Sequence, residues 1–448
     1  MSTLPCRIQV TGGDYFIHAI DRRMRRTGMG GNICRIVIRL EGGPNAEQFR
    51  QRVAASPVFS WLGCIRMKRR LPGVPPAWRS AAQPAEVFHE HTANGAANDI
   101  PNSLPPQLLG RELRADRSPA IALDFVQHMD GSALLVFSWN HALLDVRGVE
   151  RLLRLLHADN QTGQPPAVED VVNPDQTRFN LLRRWLSLPQ RMMTARGSLA
   201  LINKTCPEPL FSLQPSQHPT AACQHHYRIV NFSEQETARI DAHGLRLNAG
   251  FRRSLFYLAA MLKAVHALAR KRGGEIGAYL VPVPHDLRRR DAPIAIFSNQ
   301  ISFLFYRIEP GLADNLPETI AELARQMMDQ ARDRSPESFA AAMDMFKPMP
   351  LDFYMYRLSL PTRGKFASFF FSDAGETCAG METMLGARIA AVTHLAPTSR
   401  PPGLTVVFSR FRKQLSAVLA YVDDCLSGEE VNNLERGLRT ALAGEASG

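Results

Sequence analysis

Ser132-Ala133-Leu134-Leu135-Val136-Phe137-Ser138-Trp139-Asn140-His141-Ala142-Leu143-Leu144-Asp145-Val146-Arg147-Gly148-Val149-Glu150 is an apolar run that ends on a histidine, with an aspartate four residues further on. Leu134 to Trp139 follows the turn signal Asp130-Gly131 and has the length of a buried strand. Val149 to Leu156 carries apolar residues at helical spacing. His141 therefore sits where a strand gives out, a place where a rigid scaffold holds an imidazole at the mouth of a cleft. Imidazole titrates near neutrality and can take a proton from a reacting group. Asp145 is placed to orient the loop. We read the stretch as an active site.

Upstream, Ala120 to Val126 is a second strand, joined to the first through residues 127–132, and a hairpin is the simplest arrangement. Asp14 to Ile20 and Ile33 to Leu40 are apolar, the latter strand-like, and Asn45 to Ala55 reads as a helix with Asn45 as N-cap. Residues 77–97 and the three prolines of 99–106 predict loop and edge structure.

Downstream, residues 159–176 have linker composition, and Arg178 to Ile202 interleaves apolar and arginine positions in a basic amphipathic pattern. Four prolines in 205–220 mark another boundary. Beyond it come a strand at Tyr227 to Phe232, a capping box at Ser233-Glu234-Gln235-Glu236 and a long helix at Ser254 to Lys271. Strands at Ala278 to Pro284 and Asn299 to Ile308 and a helix at Leu316 to Arg332 complete a second half like the first. This predicts an α/β protein with an N-terminal half at 1–160, a linker or crossover at 161–222 and a C-terminal half at 223–448.

The 448 residues exceed one ordinary core. Leu255 to Leu268, the most apolar window, is broken by Lys263 and His266, and the N-terminus has no signal-peptide pattern, so the expected location is cytoplasmic. Seven cysteines without a CxxC pair indicate neither a disulfide framework nor a zinc site, and no metal is expected. The net charge of +11 favours an anionic partner. Nucleic acid is not expected, since zinc-finger spacing, RNP-like aromatics and long basic runs are all missing.

The stretch Asn140-His141-Ala142-Leu143-Leu144-Asp145-Val146 resembles the HHxxxDG motif of the HxxxD acyltransferases related to chloramphenicol acetyltransferase, a group that includes condensation domains, polyketide-associated acyltransferases and wax ester synthases. Asn140 replaces the first histidine and Val146 the glycine, with Gly148 displaced by two. Asp14-Tyr15-Phe16 with Met29, and Leu109 to Leu123 with Asp116 and Pro119, resemble segments of the wax-synthase group. Pro284-His285-Asp286-Leu287-Arg288 resembles the family's PVDLR element and Ser298-Asn299-Gln300-Ile301-Ser302 its GNxxS element, with serine for the glycine.

The resemblance implies two similar halves with mostly antiparallel sheets, arranged in a V, with an active-site tunnel at their interface. It implies an acyl thioester donor, acyl-CoA or a phosphopantetheine thioester on an acyl carrier protein, as co-substrate rather than bound cofactor. The acceptor is a hydroxyl or amine on a small molecule or lipid. His141 and Asp145 take the catalytic positions, with His141 as base. Asp145 pairs with Arg288, or else with Arg289 or Arg147. Asn140, Asn299 and Ser302 are candidate donors to the oxyanion or substrate. Two other readings follow: a noncatalytic, condensation-domain-like protein that docks a carrier protein, kept open by Asn140 and Val146, and a wax-ester or glycerolipid enzyme in peripheral contact with a membrane, to which residues 178–202 point.

Overall fold

The computed structural model describes residues 4–444 apart from 70, 72, 82–84, 95–96, 98–99, 118, 163–166, 178–187, 214–223, 251 and 289–293. Helix α1, Gly12–Arg26, begins in a capping box between Thr11 and Asp14 and lies where the sequence showed only an apolar stretch. Ile33–Glu41 then pairs antiparallel with Ala133–Asn140, and the hairpin partner Ile121–His128 pairs with the latter in turn. Asn45 caps Ala46–Ala55 through its side chain, as expected. Phe88–Ala93, in the region expected to be loop and edge, adds a parallel edge strand.

The sheet of the first half is completed from the second. Ala387–Leu395 runs antiparallel along the free side of Ile33–Glu41, and Thr383–Met384 follows outside it. Ile389, Val392 and Met384 thereby join the same core as Phe59, Phe137 and Leu152. The other face of this sheet, at Val37, Leu134 and Val136, packs on Val418 of the second half. Every residue of Ala133–Asn140 is consequently buried, which explains its largely apolar character.

The second half holds a four-stranded sheet, in the order Phe370–Glu376, Leu404–Phe411, Gln414–Val422, His225–Asn231, and a smaller one built on Ala278–Asp286 and Ile301–Ile308. The two meet at Ser368, whose amide donates to the Leu280 carbonyl while its hydroxyl accepts from the Leu280 amide. Helices Arg253–Arg272, Leu316–Arg332 and Gly428–Ala443 contribute to its core. Among the described residues no helix is long and apolar enough to cross a membrane.

Of the basic amphipathic segment, residues 178–187 lie outside the described residues. The rest is helix, Leu188–Thr205, packed against helix Ser335–Phe346. Met192, Met193 and Leu199 on it are exposed.

Candidate active site

His141 follows the last residue of its strand, and its amide donates to the carbonyl of Asn32 at 2.9 Å, across the ladder from Ile33–Glu41. The turn that follows leads directly into helix α2, Val146–Thr162. The His141 Nδ1 lies 3.2 Å from the carbonyl oxygen of Leu144. A carbonyl can only accept, so Nδ1 carries the proton and Nε2 is left as the basic nitrogen. Trp139 donates through Nε1 to the same Leu144 oxygen at 2.9 Å, fixing the acceptor in place. Burial holds the imidazole below its ordinary pKa, against smaller opposing effects of backbone hydrogen bonds and Asp145. A neutral imidazole with a free Nε2 is the form a general base needs.

Asp145 is buried, and its carboxylate is fully engaged away from that nitrogen. Oδ1 accepts from the Gly148 amide at 3.0 Å, while Oδ2 accepts from Arg288 Nη2 at 2.7 Å and from the Gln300 amide at 3.1 Å. Of the three arginines considered as its partner, Arg288 makes the contact, Arg147 pairs instead with Glu150, and Arg289 lies outside the described residues. The glycine displaced to position 148 also has a steric reason, because a Cβ there lands on the carbonyl oxygen of Ile296.

The three side chains expected to donate to an oxyanion are turned elsewhere. Asn140 donates to Asp21 Oδ1 and to the Leu113 carbonyl, both at 3.1 Å, and accepts from the Ala142 amide. Asn299 donates to Asp14 and to the carbonyls of His141 at 2.9 Å and Ala142 at 3.1 Å, bracing the loop from behind. Ser302 donates to the Pro336 carbonyl at 2.6 Å. All three are buried, and each side-chain donor finds an acceptor within the protein. Residue type alone could not say in which direction each points. Ser298, beside Asn299, adopts φ +75°, a conformation glycine takes without strain and the place where the resembling motif has its glycine.

His141 opens onto a cavity of about 940 Å³ lined from both halves. Its walls are mainly apolar, with a tilted and edge-on aromatic group of Phe16, Phe303, Phe305 and Phe339. The described lining contains no aspartate or glutamate. Asn32, which the sequence reading passed over, lines it too, and its side-chain amide makes no hydrogen bond within the described protein. Its only sequence signal was its place before the strand that pairs with the His141 strand.

No family model and no curated protein sequence matches the chain. Solved structures match along nearly its whole length. The trichothecene 15-O-acetyltransferase of Fusarium sporotrichioides superposes with a TM-score of 0.69 at 14% identity, covering 98% of this chain and 95% of that one. The condensation domain of the monacolin K polyketide synthase gives 0.66 at 13% identity over 99% and 98% of the two chains. The epimerization domain from the third module of tyrocidine synthetase B gives 0.63 at 13% identity over 99% and 98%. The chain thus has the chloramphenicol-acetyltransferase-like fold of condensation domains. Since this scaffold carries an acetyltransferase, a condensation domain and an epimerization domain, the reaction has to be argued from the side chains at the cavity.

Proposed function

We propose that the protein is an acyltransferase that moves an acyl group from a thioester, on coenzyme A or a carrier protein, to a hydroxyl or amine. The observation that carries this reading is the hydrogen bond from His141 Nδ1 to the Leu144 carbonyl, which leaves Nε2 basic beside a mainly apolar cavity. Nε2 takes the acceptor's proton as its oxygen or nitrogen bonds to the thioester carbonyl carbon. The tetrahedral intermediate collapses with loss of the thiolate, which recovers the proton from the imidazolium. No acyl-enzyme is required. Asp145 takes no part in the proton transfer, because both its oxygens already accept hydrogen bonds within the protein. We assign the oxyanion donor to Asn32, supported by its place in the lining of the same cavity as His141.

The test is thiol release from a set of acyl-CoA and acyl-pantetheine thioesters, with and without hydroxyl and amine acceptors. Acceptor-dependent release that disappears in His141→Ala supports the reading. If release is equal in the variant, or no thioester is turned over, the proposal fails and the carrier-docking alternative takes its place.

A further inference from the structure

Four arginines crowd the end of α1, and three are matched with acids. Arg22 and Arg26 both pair with Asp352, and Arg25 pairs with Asp21 and Glu112. Arg23 is the exception. It lies on the cavity-facing stripe of the helix with Phe16 and Ile20, and among the described residues its side chain forms neither an ion pair nor a hydrogen bond. Its guanidinium lies over the Phe366 ring, 4.4 Å from the centroid. The Phe366 amide is in turn held by the Thr362 hydroxyl at 3.0 Å, in a loop that lines the same cavity. Stacking of this kind fixes the plane of the guanidinium while leaving its edge N–H groups free to donate.

A half-buried cation beside apolar walls is unfavourable unless an anion accompanies it. Burial also draws the Arg23 pKa downward, with no neighbouring charge opposing it. The described lining supplies no acid, and Arg196 and Arg357, which also line it, form no ion pair among the described residues. Every matched arginine of α1 faces away from the cavity, so this imbalance is not a general excess of base on the helix.

The geometry points to Arg23 as the recognition residue for an oxyanion, a carboxylate or a phosphate ester, carried by a substrate whose apolar body occupies the aromatic part of the cavity. As a statement about the acyltransferase's substrate it rests on the function proposed above. The binding itself involves no turnover. The guanidinium edge donates two parallel hydrogen bonds to the oxyanion, and the apolar body is fixed relative to His141, which lines the same cavity.

The test is calorimetric binding of dodecanoate, dodecyl phosphate and neutral dodecanol to the full chain and to Arg23→Met, Arg23→Lys and His141→Ala. The wild-type protein is expected to prefer at least one anion over the alcohol by about tenfold, equivalent to about 1.4 kcal/mol. A stronger response to dodecanoate assigns a carboxylate, and a stronger response to dodecyl phosphate a phosphate ester. Arg23→Met is expected to abolish the preference while leaving alcohol binding within about twofold, which excludes misfolding as the cause. Arg23→Lys keeps part of the preference. Retention of the full preference in Arg23→Met, or its absence in the wild type, overturns the inference. His141→Ala is expected to keep it, so failure of the acyl-transfer chemistry and failure of this site read out separately.

Discussion

Asp145 and Arg288, 143 residues apart in sequence, meet at 2.7 Å with only about 5% and 4% of their side chains exposed. The contact ties the His141 loop of the first half to the strand end Ala278–Asp286 of the second. Removing one member of a buried pair strands the other's charge, at a cost of about 3–5 kcal/mol. Arg288→Ala and Asp145→Ala are each expected to lower stability on that scale in denaturant titrations. The double variant is expected to lose clearly less than the sum of the two. Additive losses would falsify the energetic pairing.

For His141→Ala the expectation is different, since its ring lines the cavity. Turnover should fall by a factor on the order of 10² to 10⁴ with the melting temperature nearly unchanged. Because burial lowers its pKa, the imidazole stays neutral to pH values below the ordinary 6.5. The acid limb of kcat/KM is therefore expected below pH 6.5, and a limb above that value counts against His141 as the base.

Asn32→Ala tests the oxyanion donor. Loss of one such hydrogen bond is expected to lower kcat by roughly 10² to 10³ with little change in KM. A pure KM effect assigns Asn32 to substrate binding instead.

At Gly148 even a methyl group meets the Ile296 carbonyl. Gly148→Ala should destabilise the protein by about 1–3 kcal/mol, the usual range for overpacking, and reduce activity through the Asp145 carboxylate that its amide holds. Thermal melting and thiol release measured together check this, and wild-type values in both contradict it.

His394 is buried, bonds to the Thr377 hydroxyl at 2.9 Å, and has its pKa pushed down to about 4, first by burial and then by Arg147. Between pH 6.5 and 4 the unfolded chain binds a proton that the folded chain refuses. Stability is therefore lost as pH falls through that window, by up to about 1.4 kcal/mol per pH unit from this residue. His394→Gln is expected to flatten the slope in a pH series of denaturation curves. An unchanged slope refutes the assignment.

The local parts of the site could be read from the chain because local chemistry determines them. A turn signal, an apolar run and a helical spacing located the strand, loop and helix around His141, and Asn45 and Ser233 marked their helix starts as N-caps do. Direction was not readable. Asn140, Asn299 and Ser302 have the right atoms for an oxyanion site, and long-range packing turns each toward backbone or Asp21 instead. Helix α1 reads as no more than an apolar stretch, although Thr11 and Asp14 form its capping box, because it opens with Gly12 and Gly13, which have low helix propensity. Nothing local in Ala387–Leu395 says that its partner lies in the other half, since a strand's neighbours are chosen by the whole fold.

That borrowed strand also bears on solubility. A fragment ending at residue 160 keeps Ile33–Glu41 and loses the partner along one side of it. Seven of the nine residues in that strand are buried in the intact chain, so the fragment presents a long, largely apolar edge with unanswered backbone hydrogen-bonding groups. Edges of this kind recruit other copies. The N-terminal portion expressed alone is therefore expected to aggregate, and a co-expressed peptide carrying residues 383–395 to restore its solubility by filling the vacant lane.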